Sequence, residues 1–149
     1  SQRRDELAIG TQIKGWIFES PMTGYTEIHD ETCNLLRIPR VLRPMILAKT
    51  IRHFNAINGP RRPIRDLSDA DVPSWGITNE PTLLVQANPD ERLGPVHHER
   101  LIQCMEAPPY KGLLVVHLLN DLRHSGSHES ASRKIVVDEW LDEQFPYSS

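Results

Sequence analysis

Cysteine is scarce. Cys33 and Cys104 are the only two in 149 residues, and no metal-ligand spacing separates them. A disulfide scaffold and a zinc knuckle are therefore excluded, and two free thiols suit a reducing compartment. No apolar run approaches the ~20 residues that a membrane-crossing helix needs, so no membrane partner is expected. Also missing are Gly-x-Ser-x-Gly, a Gly-rich phosphate loop and His-Glu-x-x-His, short motifs of hydrolases, nucleotide binders and zinc proteases. His97 and His98 are adjacent, so on a helix they diverge by about 100° and form no one-face metal pair. His124 and His128 stand in a Ser-rich stretch that reads as solvated, and Asp69 and Asp71 read as turn residues bonded to backbone. No catalytic set, metal or cofactor is expected, and the chain reads as non-catalytic.

A strongly basic balance is missing too. The formal net charge of −3 argues against an indiscriminate nucleic-acid binder. The charge is unevenly spread: between Leu35 and Arg65 there are eight Lys or Arg and no Asp or Glu, whereas Asp138–Glu143 is acidic. The first stretch reads as a solvated basic face. Its functional alternative is a stripe facing RNA backbone or an acidic partner subunit. The length fits one domain, residues 1–149. The first residue is Ser1 and no charged-then-apolar leader follows it, so the expectation is a piece excised from a larger intracellular protein.

What is present is a sequence of short apolar segments. Gln12–Phe18 spaces Trp16 and Phe18 two apart, as on one face of a strand. A turn-like Ser20–Gly24 precedes Tyr25–Ile28, read as the partner strand of a hairpin, and Cys33–Arg37 is a third candidate strand. Pro44 opens a helix in which Leu47, Ile51 and Phe54 form one stripe, ended by Asn58-Gly59-Pro60. Residues 59–81 are irregular, with a short helix after Asp66. Thr82–Gln86 suits a buried strand. Gly94-Pro95 opens a second helix that Pro108-Pro109 closes, and Gly112–Leu119 is apolar enough for a strand covered on both faces. His124–Arg133 reads as a polar loop and Lys134–Val137 as a returning strand. The expected class is α+β, with an antiparallel sheet packed against a small helical bundle and a further β-hairpin region.

A binding site is easier to assemble than an active site. Trp16, Phe18 and Tyr25 would lie on neighbouring strands with Glu19 and Glu27 nearby. Aromatic planes beside a carboxylate suit a methylated, positively charged purine. The alternative is that the rings are core. The helix start around Gly94 and His97 suits a phosphate; the alternative there is an ordinary helix start.

The order of these segments resembles the cap-binding domain of the orthomyxovirus (influenza and thogotovirus type) polymerase basic subunit two. Gly24-Tyr25-Thr26-Glu27-Ile28, Leu35-Leu36-Arg37, Ala87–His97 and Leu118–Trp140 are similar, in one order, to segments of that family. The resemblance implies a role in cap-snatching transcription of viral RNA. Other polymerase subunits, capped host RNA and viral RNA backbone would be partners, in the host nucleus and the virion. It places the first stacking aromatic on Phe18, if Ser20–Thr23 lengthen the turn, or on Met22 without a gap. Trp16 belongs to the same face, and Phe54 and Trp75 are candidates for the second ring. The base edge falls on Thr26 with Glu27 adjacent, and the phosphates on Gly94 and His97. Thr26 and Ile38 stand where the family reads the base with Glu and Lys, which predicts weak cap affinity in this domain alone. The alternative is an interaction platform for protein or RNA that does not bind cap.

Overall fold

The computed structural model describes residues 12–58, 63–74, 77–124 and 130–146. They form two compact units, one holding the described residues up to Thr23 and from 77 onward, the other residues 24–74. Among the described residues no helix is long and apolar enough to cross a membrane.

The first unit is built on a three-stranded sheet in the order β1 (Trp16–Glu19), β2 (Thr82–Ala87), β3 (Leu114–Leu119). Both pairings are parallel: Trp16 stands opposite Thr82, which stands opposite Leu114. Every residue of β2 is buried. Leu83, Val85 and Ala87 pack with Val136, Val137 and Trp140 of helix α4 (Ala131–Gln144). Helix α3 (Val96–Glu106) packs on β3 and buries Leu101 and Met105. Gly15 lets the chain enter β1 under the α4 ring: a Cβ there would lie 2.9 Å from Trp140 Cη2 and 3.1 Å from the Pro81 carbonyl.

The class is mixed helix and strand, as expected, but the antiparallel sheet is corrected. Parallel neighbours need long crossovers, and helical segments stand between the strands in the chain. The expected partner strand Tyr25–Ile28 is instead the first turn of helix α1 (Tyr25–Leu35). Gly24 offers no side-chain cap; the Asp71 carboxylate does the capping, accepting from the Tyr25 and Thr26 N–H groups and from Thr26 Oγ1 at 2.6 Å. The candidate strand Cys33–Arg37 is the end of the same helix. Arg37 takes a left-handed φ of 52°, and the Ile38 N–H returns to the Cys33 carbonyl at 2.8 Å, a helix-terminating arrangement. The returning strand Lys134–Val137 lies inside α4. Ser130 Oγ caps that helix from the Arg133 N–H at 3.0 Å, and Val136, Val137 and Trp140 share its buried side. The further hairpin is therefore absent among the described residues: its first segment is β3 and its returning segment is helical.

The second unit joins α1 to helix α2 (Arg43–Asn58), which matches the expected Pro44–Asn58 segment. Phe54 of α2 meets the Tyr25 ring edge-on at 4.8 Å. Asn55 brackets the Ile64 backbone with two hydrogen bonds of 2.7 and 2.9 Å. A short 3-10 helix at Leu67–Ala70 fulfils the expectation after Asp66.

Candidate acid–base site

Parallel sheets gather functional groups in the loops at the carboxyl ends of their strands. Two such loops lie side by side here. After β2 the chain runs Asn88-Pro89-Asp90, and after β3 it runs Asn120 to His124. The Asn88 N–H donates to the Leu119 carbonyl at 2.9 Å, holding the loops together.

His124 Nδ1 lies 3.1 Å from Asp90 Oδ2, and the Asp90 side chain is 1% exposed. An ionised carboxylate only accepts, so Nδ1 is the donor and carries the ring proton. Asp90 is fully provided for: Oδ1 accepts from the Arg92 and Leu93 N–H groups at 2.9 and 2.8 Å, and Oδ2 also accepts from Gln86 Nε2 at 2.8 Å. Burial pushes this carboxyl up. The Leu93 and Arg92 amides, the His124 ring and the Gln86 amide together outweigh it and hold the group below the usual carboxylate value.

This arrangement fixes an imidazole by its Nδ1 edge and leaves Nε2 to take a proton, which is the orienting half of a nucleophile–base–acid relay. Ser20 closes the carboxyl end of β1 with a left-handed φ of 41°. Its N–H donates to the Val85 carbonyl at 3.0 Å, and its Oγ accepts from the Ala87 N–H at 3.4 Å.

Sequence reasoning passed over Asp90 and assigned His124 to solvent. The signal that finds them is positional: an Asp three residues past one apolar strand and a His five residues past the next, in acid-then-base order.

The residues expected to bind a cap divide between the two units. Trp16 and Phe18 share a face of β1, with ring centroids 6.1 Å apart and planes at 25°. They stack on each other, and Trp16 Nε1 donates to Glu80 Oε2 at 2.8 Å. Phe54, Thr26 and Glu27 belong to the other unit, Phe54 on α2 and the latter two in the first turn of α1. Trp75 lies outside the described residues. His97 is 2% exposed and its ring accepts from the Thr23 N–H at 3.3 Å, while its carbonyl accepts from Thr23 Oγ1 at 2.6 Å. Gly94 accepts the His97 N–H through its carbonyl, and a Cβ would meet nothing within 4 Å there. Among the described residues no group of three or more His, Cys, Asp or Glu is placed to hold a metal ion.

No protein-family model, curated protein sequence or solved structure matches this chain.

Proposed function

We propose that the chain carries the acid–base pair of an acyl-transfer hydrolase of α/β type, with His124 as general base and Asp90 as its orienting acid. The observation that carries this reading is the 3.1 Å contact between His124 Nδ1 and a buried carboxylate, made between loops at the carboxyl ends of adjacent parallel strands. In α/β-hydrolases the relay follows the chain order serine, acid, histidine, and Asp90 precedes His124 in that sense.

The chemistry follows from the tautomer. With Nδ1–H held by Asp90, Nε2 accepts the proton of a serine hydroxyl as its oxygen attacks an acyl carbon. The imidazolium then formed is stabilised by the carboxylate and returns the proton to the leaving group. The sequence contains no Gly-x-Ser-x-Gly, so this reading places the nucleophile in polypeptide outside these residues. Among the described residues β1 is an edge strand. A parallel strand added at that edge would bring its carboxyl end, and a serine on it, beside the Asp90 and His124 loops.

The test is ester hydrolysis by the natural full-length polypeptide, using p-nitrophenyl esters. Asp90→Asn and His124→Ala should each lower kcat by about 10³–10⁴-fold with KM little changed. Hydrolysis that survives both substitutions, or a wild-type protein with none, sinks the reading.

The second reading is the cap-binding-like domain of a viral polymerase subunit, or the non-cap-binding platform in its place, with the polymerase subunits and RNA as partners. What favours it is the half-buried Trp16–Phe18 pair with Glu80 at the indole N–H. Calorimetry with methylated and unmethylated guanosine triphosphate separates the readings. Binding that prefers the methylated form and is lost in Phe18→Ala supports cap recognition; no preference counts against it.

A further inference from the structure

The turn between α1 and α2 is apolar at its tips. Leu35 and Val41 are 82% and 83% exposed, and Leu36, Leu42 and Met45 are exposed as well. Five large apolar side chains in eleven residues are far more than scattered surface leucines. They stand on a tightly bonded knuckle. The Ile38 N–H is tied to the Cys33 carbonyl and the Leu42 N–H to the Pro39 carbonyl. Arg43 staples the turn from inside, donating from Nε to the Ile38 carbonyl and from Nη2 to Asn34 Oδ1 at 2.8 Å. The exposure therefore belongs to a structured projection.

Two arginines stand among the tips. Arg37 and Arg40 interleave with the apolar residues and are exposed, and no Asp or Glu occurs between Leu35 and Arg65. The nearest acids in the sequence are Asp30 and Glu31, earlier on α1, and Asp30 and Asp66 line one pocket with Arg40 and Arg43.

We propose that the Leu35–Met45 knuckle is a peripheral docking surface for an anionic lipid bilayer. Leu35, Leu36, Val41, Leu42 and Met45 enter the boundary between headgroups and acyl chains, while Arg37 and Arg40 stay at the level of the phosphates. Apolar insertion and attraction to anionic lipid add together in surface-bound segments, and long arginine stems keep the charge in water as the tips sink. Side chains projecting this far suit insertion between headgroups better than a flat protein face, whose centre is depleted of charge. No membrane-crossing segment is needed, and the inference does not depend on the Asp90–His124 reading.

The experiment is co-sedimentation of the natural full-length polypeptide with vesicles of phosphatidylcholine alone and of phosphatidylcholine with 30% phosphatidylglycerol, taking about physiological salt as the reference. Binding should be confined to the anionic vesicles and weaken as salt rises. Val41→Asp and Leu36→Asp should each lower the partition coefficient about tenfold or more, and Arg40→Gln about fivefold. Circular dichroism matching the wild type shows that each variant is folded; a variant that is not is replaced by Val41→Ser or Leu36→Ser, with the same direction expected. No binding, equal binding to both vesicles, or binding unaffected in folded variants overturns the proposal. So does a concentration-dependent dimer in analytical ultracentrifugation that Val41→Asp abolishes, which assigns the tips to a protein contact.

Discussion

Asp90 is the residue on which the candidate site turns, because it is both buried and ionised. Its carboxylate is sustained by two backbone amides, the Gln86 amide and the His124 ring. A folded-state pKa below the unfolded value means stability that is fully present above the ordinary carboxylate range near pH 4 and is lost as the pH falls through the lowered value. Asp90→Asn should therefore flatten the loss of stability in that acid window. At neutral pH it should cost about 1–3 kcal/mol, since an amide cannot accept all four bonds; urea unfolding from pH 7 to pH 2 measures both. Gln86 is 1% exposed, and its Oε1 has no partner among the described residues, so its Nε2 contact with Asp90 is its principal fixed role. Gln86→Leu should raise the Asp90 titration midpoint seen by carboxyl-carbon NMR. It should also lower ester hydrolysis by about tenfold or more. An unmoved midpoint would reduce Gln86 to packing.

At the scale of the elements, two helices owe their beginnings to single side chains. Asp71 supplies three hydrogen bonds to the first turn of α1 from 45 to 46 residues away. Asp71→Ala should destabilise the protein by about 1–2 kcal/mol, the upper range for a lost cap, and speed amide exchange at Tyr25 and Thr26 first. Exchange at those two amides no faster than wild type would show that the cap is dispensable. Ser130 begins α4 and also donates to Asp121 Oδ2 at 3.0 Å; Ser130→Ala should cost about 1 kcal/mol in a thermal melt. At the entry to β1, Gly15→Ala would drive a methyl against the Trp140 ring and a backbone carbonyl. The expected loss is about 1–3 kcal/mol by overpacking, and an unchanged melt would show that α4 yields easily.

For the molecule as a whole, the first unit is organised around β2. Leu83, Leu84 and Val85 have no exposed surface, and strands lie on both sides. Their amides should exchange last of all, and Leu84→Ala should cost about 2–5 kcal/mol. Slowest exchange in α2 instead would place the most stable region in the other unit. This centrality was half legible. Thr82–Gln86 reads as a buried strand from its unbroken apolar run, and the expected double coverage of Gly112–Leu119 fits β2 better, because β3 is only partly buried and its Leu118 is exposed. Apolar content measures how much a strand wants burial, and the sheet order decides which strand receives it.

The sequence by itself determined the elements whose signals are local. Pro44 with the Leu47, Ile51 and Phe54 stripe makes α2, Gly94-Pro95 and Pro108-Pro109 bound α3, and the two apolar runs make β2 and β3. Each depends on neighbours within a few residues, where spacing and turn chemistry suffice. Only the tertiary structure decided that residues 25–35 are helical, since their cap comes from Asp71, and that the strands run parallel, since direction follows from how the intervening helices carry the chain back. The same holds for Asp90 and His124, which are 34 residues apart. Nothing local to either residue records that the two loops converge at one end of the sheet.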